Sequence, residues 1–172
     1  MSGDYIIRHP QLHEAESLAR VHITSWKEAY AGILPDQLWN EDAYERRVDS
    51  WRQMLADQAH RARTRVTEVD GTVVGIAQIG PPREDDVDVD HELYMIYLLE
   101  DHQGSGASSE MLEELLGTKS ASLWVLKDNP RAQAFYRKHG FEADGEEIDL
   151  GEDEGSGALK GIVEIRMVRG PQ

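Results

Sequence analysis

The run Glu92 to Leu99 (ELYMIYLL) is almost continuously apolar, and a glycine-bearing segment, Gln103 to Ser108, separates it from a stripe of Ala107, Met111 and Leu115 with Leu112 and Leu116 beside it. An uninterrupted apolar run predicts a strand buried on both faces, whereas apolar residues at three- and four-residue steps predict an amphipathic helix. Ser122 to Leu126 is the next apolar strand candidate. Strand, turn, helix and strand in that order form a crossover, and a crossover joins parallel neighbours in one sheet. This unit restricts the chain to a mixed α/β layer fold.

The flanking segments extend the pattern. Asp4 to Arg8 (DYIIR) is a short β-prone run, and Pro10 opens a helical pattern carrying Leu12, Ala15, Ala19, Ile23, Trp26 and Tyr30. Gly32 ends it, and Pro35 begins a second amphipathic stretch with Leu38, Tyr44, Val48, Trp51 and Leu55. Arg65 to Val69 and Thr72 to Ile79 are β-branched runs joined by Asp70-Gly71, a hairpin turn signal. Gly80-Pro81-Pro82 closes the pair, and the acidic segment Glu84 to Asp90 reads as a solvated loop. Asn129 before Pro130 marks a helix start, and Gly140 marks its end. Glu147 to Leu150 and Ile162 to Val168 are the last strand candidates, with a Gly- and acid-rich loop, Gly151 to Gly161, between them. The order βααβββαβαββ, with no repeat and no linker, predicts a single domain over residues 1–172 whose central mixed sheet is flanked by helices.

Composition narrows the classes. A chain of 172 residues buries roughly 70% of its unfolded surface on folding. The net charge of −15 opposes binding to nucleic acid or to anionic lipid, both of which depend on basic residues neutralising phosphates. Zero Cys removes disulfides, thiolate metal sites and cysteine nucleophiles. No apolar run approaches the roughly 20 residues that span a bilayer, and Met1 to Arg8 lacks the layout of a signal peptide, so a cytoplasmic protein is expected. His9 and His13 lie four apart, but Pro10 stands between them and no third ligand is near, so no metal is expected.

Chemistry concentrates at the turn. Gln103, Gly104, Ser105, Gly106, Ala107 and Ser108 occupy the start of a helix, where backbone N–H groups lack intrahelical partners and attract a phosphate. Two glycines allow an anion to approach the backbone closely. A tight turn of no further function explains a glycine pair equally well. A phosphate-loop NTPase requires a Lys-Ser/Thr pair where Ser108-Ser109 stands, and a dinucleotide fingerprint lacks its third glycine.

With its strand, this segment resembles the Gln/Arg-x-x-Gly-x-Gly/Ala signature of the GNAT superfamily of N-acetyltransferases, represented by Gln103, Gly106 and Ser108. The Ser is a departure from the last position. Asn129, Ala132, Phe135, Tyr136, Gly140 and Phe141 match the family's second signature, N-x-x-A-x-x-F-Y-x-x-x-G-F. Val21-His22, Ser25-Trp26, Ala29-Tyr30 and Gly32 to Pro35 look like the first two helices of one bacterial branch, which border the acceptor pocket. The helix after the turn is shorter than is usual for the family.

The resemblance implies acetyl transfer from acetyl-CoA, used as cosubstrate, to an amine by direct attack within a ternary complex. Main-chain amides over Met95, Ile96, Tyr97 and Leu98 would hold the pantetheine arm and polarise the thioester, and Asn129 would touch the cofactor or simply cap its helix. Tyr136 would protonate the departing thiolate, since a phenol of pKa about 10 is only slightly weaker than a thiol of about 8.5. Otherwise it packs beside Phe135. Glu92 stands where relatives often carry a base and would draw the amine proton through water; the competing reading is a solvated strand-end carboxylate. Such help matters, because a lysine-like amine is neutral in only about one molecule in 2500 at pH 7. Trp26 and Tyr30 would contact a small-molecule or peptide amine, although aromatics at helical spacing also build cores. The alternative function is a non-catalytic acyl-CoA-binding sensor or interaction domain with the same fold. A sheet of this kind with an exposed edge is also expected to support a homodimer.

Overall fold

The computed structural model describes residues 4–153 and 159–172. In chain order it contains β1 (Ile6–Arg8), α1 (Ala15–Tyr30), a 3-10 turn (Asp36–Trp39), α2 (Glu41–Ala56), α3 (Gln58–Ala62), β2 (Thr64–Val69), β3 (Thr72–Gly80) and β4 (His91–Leu98). A second 3-10 turn (Glu100–His102), α4 (Ala107–Leu116), β5 (Ala121–Leu126), α5 (Pro130–Lys138), β6 (Glu142–Asp149), α6 (Leu150–Asp153) and β7 (Val163–Arg169) follow. The expected order holds, with the short helices α3 and α6 added. The middle of the loop expected over Gly151 to Gly161 lies outside the described residues.

Seven strands form one mixed sheet in the order β1-β2-β3-β4-β5-β7-β6. The crossover through α4 gives the parallel pair, with His91, Glu92 and Leu93 of β4 opposite Ala121, Ser122 and Leu123 of β5. The β2–β3 hairpin turns at Asp70 (φ 50°) and Gly71 (φ 80°), both left-handed as a two-residue type I′ turn requires. The chain divides into two compact units, Met1–Ile79 with Met95–Gly117 and Gly80–Tyr94 with Thr118–Gln172. Strand β4 therefore contributes its first half to one unit and its second half to the other.

In the first unit, successive residues of β2 serve opposite faces of the sheet. Val66 packs with Leu18 and Val21 of α1 and Val48, Trp51 and Leu55 of α2. Its neighbour Thr67 donates a hydrogen bond to Met111 Sδ of α4 at 3.3 Å. Helix α1 begins at Ala15 rather than at Pro10 because charge holds the preceding segment in turns. Arg8 of β1 donates two bonds to Glu14, at 2.9 and 2.7 Å, and the Gln11 N–H donates a third at 2.7 Å. Burial pushes the Glu14 carboxyl up, but these donors outweigh it and hold its pKa below the ordinary value. Leu12, expected on the buried stripe, is consequently 64% exposed.

In the second unit the acidic segment Glu84 to Asp90 is a loop with Asp85, Asp86, Asp88 and Asp90 exposed, as expected, and it is also tied to the sheet. Trp124 of β5 donates its indole N–H to Glu84 at 2.8 Å, Arg166 of β7 donates to both oxygens of Asp86 at 2.8 and 3.2 Å, and the Asp90 N–H donates to Ser120 Oγ at 2.8 Å. The acids are tethers to the sheet, and Arg166 also donates to Asp144 of β6 at 2.6 Å. Helix α5 follows its sequence signals closely. Asn129 Oδ1 accepts from the Ala132 N–H at 3.1 Å, and the helix ends with the Phe141 N–H on the Tyr136 carbonyl at 3.1 Å and the Gly140 N–H on the Arg137 carbonyl at 3.1 Å. That pair of bonds is a Schellman motif with Gly140 at φ 90°.

The Tyr94 ring lies over Gly80, and its hydroxyl donates to the Pro81 carbonyl, so a Cβ at position 80 collides with the ring. Gly80→Ala is expected to destabilise the protein by about 1–3 kcal/mol through overpacking, read from the urea midpoint. An unchanged midpoint shows that the Tyr94 ring swings aside without loss.

Candidate active site

The turn after β4 is built as a cradle tied to the strand it follows. The Gln103 side-chain amide donates to the carbonyl of Leu98 at 3.1 Å, which anchors the first residue of the signature to the strand end. Gly104 (φ 81°) and Gly106 (φ 93°) are both left-handed, and Gly106 is the N-cap of α4. Within the turn, the Ala107 N–H donates to Ser105 Oγ at 3.3 Å, and the Glu110 N–H donates to the Gly106 carbonyl at 3.1 Å. Ala107 is buried against Val74 and Leu98, fixing the first turn of α4 to β3 and β4. Ser108 is half-buried at the second helical position, so the departure from Gly/Ala is accommodated. Nearby, Tyr5 bonds Glu110, which raises the phenol above its ordinary pKa, with burial and the carboxylate charge adding to the effect.

Strand β4 departs from the expectation of burial on both faces. Tyr94, Met95, Ile96 and Tyr97 are half-exposed, while Leu93 and Leu98 on either side of them are buried. Met95 packs onto the α1–α2 cluster and Leu98 onto Ala107. Tyr97 accepts a hydrogen bond from the Trp26 indole N–H at 2.8 Å. Tyr30 meets Trp26 edge-on at 5.5 Å, so both aromatic residues expected at the acceptor side stand together beside β4.

Sequence reasoning missed two neighbours of that group. His22, one turn before Trp26, has its ring 4.9 Å from Tyr97 and 6.4 Å from Trp51. Burial first, then the charge of Arg47, push its pKa down to about 3, so the imidazole is neutral. Arg47 of α2 is the second. The visible signal was the spacing of His22, Ser25 and Trp26, which puts three polar-tipped side chains on one helix face.

The remaining expected residues belong to the second unit. Tyr136 is half-buried on α5, with its ring 5.5 Å from Phe135 and 6.1 Å from Phe141. Asn129 is committed to its helix through the cap already described. Glu92 is not a solvated carboxylate. It is 0% exposed, one oxygen accepts the Arg83 N–H at 2.9 Å, and the other accepts Arg83 Nε at 3.0 Å and an Nη donor. Arg83 also lies 4.8 Å above the Tyr94 ring. A carboxylate with both oxygens engaged by a guanidinium and a backbone N–H is poorly disposed to draw a proton from water, because the proton has to compete with a charge-assisted pair.

The Acetyltransferase (GNAT) family model matches residues 23–141. The chain belongs to this family. It is 33% identical over 142 residues to the uncharacterised N-acetyltransferase YuaI of Bacillus subtilis, covering 79% of each chain. It is 39% identical over 82 residues to an uncharacterised N-acetyltransferase of Mycobacterium bovis, covering 44% of this chain and half of that one. Among solved structures, the PaiA N-acetyltransferase of Thermoplasma acidophilum in complex with coenzyme A has TM-score 0.65 at 19% identity, covering 97% of this chain and 99% of that one. The diaminobutyrate acetyltransferase EctA of Paenibacillus lautus, in complex with its substrate and coenzyme A, has TM-score 0.68 at 12% identity, covering 98% and 96%. This GNAT protein is an acyltransferase, which sets aside the non-catalytic sensor. No helix among its described residues is long and apolar enough to cross a membrane.

The Arg83–Glu92 pair of this GNAT enzyme is asymmetric, since the Arg83 side chain is 62% exposed and the Glu92 side chain is 0% exposed. Arg83→Met strands a buried charge and is expected to cost about 3–5 kcal/mol, whereas Glu92→Gln leaves an arginine that turns to water and costs less. Urea denaturation of both variants tests the order. Equal losses mean that the carboxylate is not the costly member.

Proposed function

We propose that this enzyme moves an acetyl group from acetyl-CoA to a primary amine of a small molecule or peptide by direct transfer in a ternary complex. The observation that carries the reading is the turn Gln103 to Ser108, tied to the end of β4 and capped by left-handed Gly106, at the signature position of the family. A helix start with oriented N–H groups favours a pyrophosphate, and the amides of Met95 to Leu98 supply donors for the pantetheine arm. Coenzyme A in the complexes of two proteins of the same fold supports this choice of cosubstrate.

In the proposed reaction the amine lone pair attacks the thioester carbonyl carbon, the C–N bond forms, and the C–S bond breaks as the tetrahedral intermediate collapses. Tyr136 gives its phenolic proton to the departing thiolate. The amine nitrogen loses one proton to water, and water returns a proton to the phenolate. Asn129 orders the start of α5 and so the turn of helix that carries Tyr136. Glu92 stands outside this proton path because Arg83 occupies it.

Ser105→Asp places a carboxylate in the turn without straining a left-handed glycine, and the new side chain retains an acceptor for the Ala107 N–H. Acetyl-CoA binding is expected to weaken by at least roughly tenfold, as like charge at a helix N-terminus excludes a phosphate. Calorimetry on the folded variant checks it, and unchanged affinity puts the pyrophosphate elsewhere.

Tyr136→Phe is expected to lower the single-turnover rate by roughly 10² with the acetyl-CoA dissociation constant unchanged, since general-acid help contributes about 10²–10⁴ and the ring still packs on Phe135 and Phe141. Equal rates for the two proteins return the thiolate proton to water and leave Tyr136 a packing residue.

A further inference from the structure

Six buried polar side-chain atoms among the described residues have no hydrogen-bond partner, and three of them lie on α1 and α2: His22 Nδ1, Ser25 Oγ and Trp51 Nε1. Their residues are 7% exposed or less. A buried polar group left unpaired costs about 1–3 kcal/mol, and with the His22 and Trp51 rings 6.4 Å apart and Ser25 one helical turn from His22, a polar ligand that reaches these groups recovers that cost. Two of them, Ser25 and Trp51, donate through O–H and N–H, and neutral His22 donates or accepts according to its tautomer.

Beside them stands Arg47, one helical turn before Trp51 and half-buried. Its charge acts on both His22 and Tyr97, burial is the main force lowering its own pKa, and among the described residues it makes no ion pair. The adjacent Arg46 adds positive charge that works with burial to lower the Arg47 pKa. In a chain with 33 acidic and 18 basic residues, an arginine half-buried without an ion pair carries a charge that an incoming anion would stabilise. Half-exposed Trp26 of α1 and Tyr97 of β4, joined by their hydrogen bond, stand beside His22, whose ring lies 6.3 and 4.9 Å from theirs.

We infer that the acceptor amine carries a carboxylate, recognised by the Arg47 guanidinium together with the donors of Ser25 and Trp51, and that amino acids or amino-acid-like amines are therefore the substrate class. The inference rests on the proposed acetyl transfer for its amine and on the α1–α2 cluster for its carboxylate.

The test is calorimetric binding of a panel of free amino acids, each beside its carboxamide and its decarboxylated amine, to the full chain with coenzyme A present. Acids are expected to bind roughly 10- to 100-fold more tightly than their neutral or cationic counterparts, the range for a charge-assisted hydrogen bond. Arg47→Met is expected to level that preference, Arg47→Lys to keep part of it, and neither to change acetyl-CoA affinity. The inference is overturned if acids and amides bind equally, if none of the panel binds, or if Arg47→Met weakens acetyl-CoA itself, which assigns the guanidinium to a cofactor phosphate. Since the comparison of acids with amides is made on the unaltered protein, it stands even if the methionine variant unfolds. Acid-selective binding without release of free CoA from acetyl-CoA leaves the carboxylate site standing and sinks the proposed transfer instead.

Discussion

Every part of this molecule hangs on β4. A central strand of a mixed sheet has to satisfy its backbone along two edges, and here the two halves of one strand belong to different compact units. The first half pairs in parallel with β5, and the Leu99 N–H just past the second half donates to the Val74 carbonyl of β3 at 2.9 Å. The Gln103 amide then bonds back to Leu98, so the glycine turn and the start of α4 inherit their position from the strand end. Remove the strand's order and the turn, the helix start and the Trp26–Tyr97 contact lose their common support.

Charge is distributed with the same economy. An acid excess normally solvates a surface, yet several acids here are structural: Glu14 clamps Arg8, Glu92 is buried on Arg83, and Asp86 and Asp144 share Arg166. Such pairs owe their value to hydrogen-bond geometry more than to net attraction, because burial of a lone ion costs more than a surface pair returns. Against that background Arg47 differs in kind, being half-buried with no ion pair among the described residues.

Local chemistry was the most legible part. Asp70-Gly71 adopts the turn its residues require, Asn129 caps a helix opened by proline, and Gly140 closes that helix left-handed, since each depends on a neighbour or two in sequence. The two family signatures were equally legible, being backbone demands written as Gly, Asn and small residues. Misreadings came where long-range partners intervene. Leu12 fits an amphipathic stripe, but Arg8 and Glu14 hold its segment in turns; Glu84 to Asp90 is the exposed loop expected, but its ties to Trp124, Arg166 and Ser120 were not legible along the chain.

By itself the sequence determined the element order, the hairpin and the glycine turn, because these follow from periodicity and from residues whose backbone preferences act within a few positions; the acetyltransferase family was visible only as a resemblance to its two signatures, which the family match bears out. Only the tertiary structure decided that Glu92 is locked by Arg83 and that Tyr94 to Tyr97 stay half-exposed on an apolar strand. It alone decided that the His22 ring lies against both Tyr97 and Trp51. Burial and ion pairing are properties of neighbours distant in the chain, and no spacing rule along one strand or helix records which of those neighbours arrives.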